Sequence, residues 1–217
     1  MKAFLFDLNG TIIDDMSYHE KIWFDLLNNE LAANMTWPEV KSNMYGTNIE
    51  LFERIFGRER FTSDEMKALS LRKEILYQQE FLPHMQLIDG LDTFFEKANN
   101  ENIQMAIGSA AIPFNIDFVL DNLSIRHYFK TIVSADDVVL SKPHPETYLK
   151  CADQLKINYA DCIVFEDSPK GVEAAARAGM NAVAITTYHS PKDFEHLNNI
   201  LFFVKNYTDK NLEQFFN

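Results

Sequence analysis

The chain has 217 residues, a hydrophobic fraction of 47% with 18 phenylalanines, and a formal charge of −12, which describes a folded protein of one large or two modest domains. That charge excludes a broad nucleic-acid or anionic-membrane surface, because neutralising phosphates requires clustered Lys and Arg, and it means that an anionic substrate needs local help, such as a metal. No basic-apolar leader opens the chain and no run approaches the roughly 18 apolar residues of a membrane span, so a soluble, cytoplasmic protein is expected, with Cys151 and Cys162 as structural free thiols in a reducing compartment.

The first apolar run, Phe4-Leu5-Phe6, discharges into Asp7-Leu8-Asn9-Gly10-Thr11. A short apolar run closed by Gly and polar residues reads as a buried strand, residues 3 to 7, with Asp7 at its carboxyl end facing a crevice. Asn9-Gly10 alone also fits a hairpin turn. The stretch that follows is a poor strand, however, and Tyr18, Ile22 and Leu26 keep helical spacing instead. From about Asp15 to Leu82 the pattern is helical throughout, with a capping-box signature at Thr62-Ser63-Asp64-Glu65 ahead of Ala68, Leu71 and Ile75. This block predicts an all-helical unit.

After Asp89-Gly90 the texture changes to short β-type runs separated by helices: 103 to 107, 131 to 134, 162 to 165, 182 to 185 and 201 to 204. Such alternation means βαβ units and a parallel sheet. The first strand belongs to that sheet, so the helical block is an insertion, a cap over the strand ends. The expected architecture is α/β, a doubly wound parallel sheet with an inserted small four-helix cap domain. The core comprises residues 1–15 plus 88–217 and the cap residues 16–87, with hinges near Thr11 to Asp15 and Leu82 to Gly90.

Four spots lie where strands are expected to end, beginning with Asp7. In Gly108-Ser109-Ala110 a hydroxyl and small residues suit backbone N–H groups approaching an anion. Ser141-Lys142-Pro143-His144-Pro145 fixes a lysine in a proline-stiffened loop, where a solvated side chain is the default. Phe165-Glu166-Asp167-Ser168-Pro169 delivers two adjacent carboxylates and a strong helix start, after which Gly171, Ala174-Ala175-Ala176 and Gly179 let the helix pack tightly. Together they supply a carboxylate nucleophile, a hydroxyl, a lysine and a metal-binding acid pair.

On these motifs and their order the chain resembles the haloacid dehalogenase superfamily of phosphohydrolases over essentially its whole length. Within that superfamily it resembles the β-phosphoglucomutase-like subgroup with a small helical cap. The resemblance implies a Rossmann-like core and an aspartyl-phosphate formed on Asp7. It implies Mg²⁺ held by Asp7, the Asn9 carbonyl, Glu166 and Asp167. Thr11, Ser109 and the Ala110 N–H would hold phosphate oxygens, and Lys142 would offset charge. The implied partner is a small phosphorylated metabolite, with no nucleic acid and no membrane, in a monomer or weak homodimer.

Asn9 departs from the family, which carries there an aspartate that resembles a general acid and base. An amide cannot exchange a proton in this way. The cap loop Gly46-Thr47-Asn48-Ile49 has an apolar residue where mutases resembling this chain place an arginine, and Ala111-Ile112-Pro113 follows the loop serine. Tyr18-His19 and Arg72-Lys73 with Tyr77 match the mutase-like pattern, so Gly46, His19 and Lys73 are candidate substrate-binding residues. His19 equally fits a partly buried structural histidine, and Lys73 a solvated helix face. Dehalogenases of this fold need no acid pair, and phosphonate-cleaving relatives are matched weakly by Lys21. A phosphatase is expected. The alternatives are a sugar-phosphate mutase and a catalytically weakened protein that binds phosphate or Mg²⁺ in a regulatory role.

Overall fold

The computed structural model describes residues 2–216, so the end residues 1 and 217 of the expected core lie outside the described residues. Two compact units are formed, Met1–Asp14 with Gln86–Asn217, and Asp15–Met85.

The first unit is built on a six-stranded sheet: β1 (Ala3–Phe6), β2 (Gln104–Gly108), β3 (Phe129–Val133), β4 (Cys162–Glu166), β5 (Asn181–Ile185) and β6 (Ile200–Val204). The order is β3-β2-β1-β4-β5-β6, all parallel. Because β1 pairs with β2 on one side and β4 on the other, the hairpin reading of Asn9-Gly10 is overturned. Strand β1 is buried at every position, as central parallel strands must be.

Alternation along β1 sorts its side chains onto two faces. Ala3 and Leu5 join Ala106, Val164, Tyr148, Cys151 and the alanines of 174–175 in one core cluster. Phe4 and Phe6 meet Phe94, Phe95 and Phe165 on the other face, with ring centroids 4.7–6.3 Å apart. Part of the phenylalanine-rich composition is spent on that second layer, while Phe24, Phe52, Phe56 and Phe61 pack within the other unit. Numbering the helices in chain order, the sheet is flanked by α5 (Leu91–Asn100), α6 (Pro113–Asn122), α7 (Glu146–Leu155) and α8 (Pro169–Arg177), giving a doubly wound α/β fold.

The second unit contains α1 (Met16–Asp25), a π-helical turn (Leu26–Glu30), α2 (Trp37–Asn43), α3 (Asn48–Phe56) and α4 (Ser63–Phe81). Thr62 and Glu65 make the capping box that starts α4. The apolar residues that follow this capping box are not the buried ones: Leu71 and Ile75 are exposed. The buried stripe is Met66, Ser70, Lys73, Glu74, Tyr77 and Phe81. A polar cluster inside the unit, described below, outweighs local hydrophobicity in setting the rotation of this helix.

Cys151 and Cys162 are free and buried. Burial pushes the Cys151 thiol up to about 12 and the Cys162 thiol up to about 11. A thiol whose pKa rises on folding stabilises the fold fully below its unfolded value of about 8.5 and loses that contribution as pH climbs through the folded value. Native protein at pH 8 is therefore expected to resist iodoacetamide at both positions and to take up two labels only after denaturation. Rapid native labelling followed by mass spectrometry would contradict this.

Candidate active site

The sheet register sets the site. Phe6 is level with Ile107 on β2 and Phe165 on β4, so Asp7, the Gly108-Ser109 step and Glu166-Asp167 emerge from the carboxyl ends of three adjacent strands. The Asp7 N–H donates to the Phe165 carbonyl at 3.0 Å, which continues the ladder by one residue and locks the nucleophile candidate against the acid pair. Asp7, Glu166 and Asp167 are all buried, and each offers a carboxylate oxygen within 4.8 Å of the others.

Lys142 is the cation of this group. Its Nζ donates to Asp7 Oδ1 at 2.6 Å and to Glu166 Oε1 at 2.8 Å, and it is only 6% exposed. The solvated-loop default for this lysine is therefore wrong. Burial alone would lower the ammonium's pKa, but the Asp7 and Glu166 carboxylates outweigh it and hold it above its ordinary value. Burial likewise works to raise Glu166, while Lys142 and two donors from Ser168 bring it below the usual carboxylate range. Those donors are Ser168 N–H at 2.8 Å and Oγ at 2.9 Å, and the same Oγ caps α8 by accepting from Gly171 N–H at 3.1 Å.

Tyr148 on α7 was not legible in the sequence as a site residue. Its OH donates to Glu166 Oε1 at 3.1 Å, and Lys142 Nζ lies 4.7 Å from its ring centroid. It thus touches both charged groups from one buried position.

Gly171 has a steric task. A Cβ placed there would lie 1.7 Å from Glu166 Oε1 and 1.9 Å from its Cδ, so the carboxylate occupies the space a side chain would fill. Gly171→Ala is expected to expel Glu166 from Lys142, Tyr148 and Ser168. Breaking a buried ion pair in this way costs about 3–5 kcal/mol, which is read as a lower denaturant midpoint. An unchanged midpoint would contradict this account of the glycine.

Ser109 follows β2, donating its N–H to the Val133 carbonyl at 2.9 Å and accepting at Oγ from Ala111 N–H at 3.1 Å. Ala110 lies between these anchors. Thr11 is fully buried, and its Oγ1 has no hydrogen-bond partner among the described residues. Asn9 sits two residues beyond Asp7 and is partly exposed.

The remaining candidates, His19, Gly46 and Lys73, fall in the helical unit. His19 and Lys73 belong to one buried cluster, so Lys73 does not lie on a solvated face. Lys73 Nζ is 2.5 Å from His19 Nδ1 and bonds both Glu74 oxygens at 3.1 and 3.0 Å. The other ring nitrogen, Nε2, lies 3.2 Å from Asp15 Oδ2. Tyr77 donates to the same Oδ2 at 2.5 Å and stacks on the imidazole at 3.9 Å. Burial lowers the Lys73 pKa against the pull of Glu74 and Asp15. Asn48 Nδ2 donates to Glu74 Oε1 at 2.6 Å, and Gly46 lies two residues earlier, before the Thr47 cap of α3.

The parallel sheet, with clustered acids and a buried lysine at its strand ends, defines a doubly wound α/β protein with a charged site at the carboxyl edge of its sheet. Residues 4–185 match the family model of the haloacid dehalogenase-like hydrolases. Fructose-1-phosphate phosphatase YqaB of Escherichia coli (strain K12) is 29% identical over 192 residues, spanning 83% of this chain and 94% of that protein. Beta-phosphoglucomutase of Bacillus subtilis (strain 168) is 31% identical over 199 residues, 85% and 83% of the two chains. A HAD hydrolase of family IA, variant 3, from Entamoeba histolytica superposes with a TM-score of 0.86 at 26% identity, covering 100% of this chain and 98% of that one. The chain belongs to the haloacid dehalogenase-like hydrolases and is an enzyme of their phosphohydrolase kind.

Proposed function

We propose that this enzyme is a Mg²⁺-dependent phosphatase of small phosphorylated metabolites that works through an aspartyl-phosphate on Asp7. The observation that carries the reading is the buried trio Asp7, Glu166 and Asp167, whose carboxylate oxygens lie within 4.8 Å of one another, with the Lys142 ammonium bonded to Asp7 and Glu166. Three carboxylates brought this close in a buried site repel one another, and a convergent set of hard oxygen donors is what Mg²⁺ takes. Asp7, the Asn9 carbonyl, Glu166 and Asp167 are the residues that would hold it. When bound, the ion supplies positive charge to the oxygens of the transferring phosphoryl group.

The protein's own groups do the rest. An Asp7 oxygen attacks phosphorus while the bond to the leaving oxygen breaks and that oxygen departs with the electron pair. Water then attacks the phosphorus of the aspartyl-phosphate, which releases phosphate and restores the carboxylate. Lys142 offsets charge on Asp7, and the Thr11 hydroxyl, Ser109 and the Ala110 N–H bind phosphoryl oxygens. Asn9 offers no transferable proton, so the leaving oxygen must depart unassisted. Acyl phosphates and pyrophosphate meet that condition better than alkyl phosphates.

The helical unit sets substrate choice in this reading. Sugar phosphates are the class suggested by YqaB and beta-phosphoglucomutase. A mutase reading shares the likeness to beta-phosphoglucomutase, but Ile49 is apolar where mutases resembling this chain place an arginine. A monomer or weak homodimer in the cytoplasm, acting on a small metabolite rather than on nucleic acid or membrane, completes the proposal. Among the described residues no helix is long and apolar enough to cross a membrane.

Acid quenching during turnover of acetyl phosphate with Mg²⁺, followed by peptide mass mapping, tests the route. A phosphorylated, hydroxylamine-sensitive peptide containing Asp7 is expected. Phosphate release with the label on another residue would overturn the assignment.

A further inference from the structure

The turn that follows Asp7 is gripped by two hydroxyls distant in sequence. The N–H groups of Thr11, Ile12 and Ile13 point back at the Leu8 carbonyl, at 3.3, 2.8 and 3.5 Å. The carbonyls of Gly10 and Thr11 are taken by side chains from elsewhere in the same unit. Thr187 Oγ1, in the loop after β5, donates to the Gly10 carbonyl at 2.6 Å. Tyr207 OH, in the segment after β6, donates to the Thr11 carbonyl at 3.1 Å. Two consecutive peptide planes are thereby fixed, with the Thr11 side chain between them.

Both anchors are themselves firmly placed. The Tyr207 ring packs on Phe6, Phe94 and Phe165 at 6.4, 5.4 and 5.8 Å, and its N–H donates to the Asp89 carbonyl at 2.9 Å. A Cβ on Gly90 would come within 2.9 Å of the Thr208 nitrogen, so the segment after β6 lies hard against the start of α5. Burial, then Asp7 and Asp167, hold the Tyr207 phenol well above its ordinary pKa, and it remains a donor throughout the working range. What the clamp presents is the buried Thr11 hydroxyl, which lacks a partner among the described residues. A buried hydroxyl in that state is costly unless a ligand atom completes it.

We propose that Thr187 and Tyr207 are positioning residues that hold the Gly10 and Thr11 peptides so that the Thr11 hydroxyl meets a phosphoryl oxygen, an inference that rests on the phosphohydrolase reading above. Nothing in the sequence spacing reveals this clamp. Its members lie 177 and 196 residues from the carbonyls they hold.

Thr187→Val and Tyr207→Phe delete the hydroxyls while nearly keeping shape. Inorganic phosphate, titrated calorimetrically into wild type and variants in the presence of Mg²⁺, reads the effect directly. Each single variant is expected to bind phosphate about three- to tenfold more weakly, the worth of one hydrogen bond, while Thr187→Ser retains wild-type affinity. In a Thr11→Val background neither substitution should add anything, because both act through that hydroxyl. A merely structural role would lower the thermal midpoint and leave the affinity of the folded protein unchanged.

The proposal is overturned if both single variants bind phosphate as wild type does, or if their effects persist in full without the Thr11 hydroxyl. Should Tyr207→Phe fail to fold, the Thr187 series decides alone. A wild type that binds phosphate through Thr11 but is indifferent to Thr187 and Tyr207 sinks the clamp alone. A wild type that neither binds phosphate nor releases it from any substrate sinks the phosphohydrolase reading and the clamp together.

Discussion

Asn9→Asp is expected to raise turnover of hexose phosphates by about 10²–10⁴, the usual contribution of a positioned general acid and base, equivalent to about 3–5 kcal/mol of transition-state stabilisation. The rest of the machinery is already assembled. Asp7, Lys142 and Glu166 are in direct contact, and Asp167 completes the acid cluster. Asn9 lies two residues beyond Asp7 in the loop after β1 and is partly exposed, and an aspartate has nearly the same shape. The gain should depend on the leaving group, because an alkoxide needs protonation whereas acetate and phosphate leave as stable anions. Phosphate release at saturating substrate from both classes checks this. An equal gain on acetyl phosphate and hexose phosphates, or none on either, would remove the proton-transfer explanation of Asn9.

The largest loss is expected from Asp7→Asn. The amide keeps the volume but is not a nucleophile, and removing a nucleophile that acts as part of a unit costs about 10⁴–10⁶ in turnover. Folding should survive, since Lys142 retains Glu166 and one of three crowded carboxylates is gone. A thermal midpoint no lower than that of wild type, with activity at background, is the expected pair of results. Retention of a sizeable part of the activity would mean that water or another residue attacks phosphorus.

Much of the core was legible because central parallel strands are buried on both faces and read as unbroken apolar runs. Phe4-Leu5-Phe6 and Cys162-Ile163-Val164-Phe165 announce themselves in this way, and the strands observed at 104–108 and 162–166 fall within a residue of the expected spans. The edge strand at 129–133 begins two residues before the expected 131, because Phe129 and Lys130 sit in a half-exposed, irregular part of the β2–β3 register.

The α4 helix shows where periodicity misleads. Its start was readable from Thr62 and Glu65, but its buried face was not, because Lys73, Glu74 and Tyr77 are buried by partners on α1 and α3 that local spacing does not reveal. The site divides along the same line. Asp7, Lys142, Glu166 and Asp167 stand at strand ends and follow from the chain's punctuation. Tyr148, Thr187 and Tyr207 look like ordinary core or loop residues until the fold brings them to Glu166, Gly10 and Thr11.

The most direct test of the central claim is phosphate release by the wild-type chain from acetyl phosphate, pyrophosphate and hexose phosphates, with Mg²⁺ and with the ion removed by a chelator. The account predicts Mg²⁺-dependent release that is fastest on the activated phosphates and lost on chelation. Inertness on every substrate, or release that is indifferent to Mg²⁺, would contradict it.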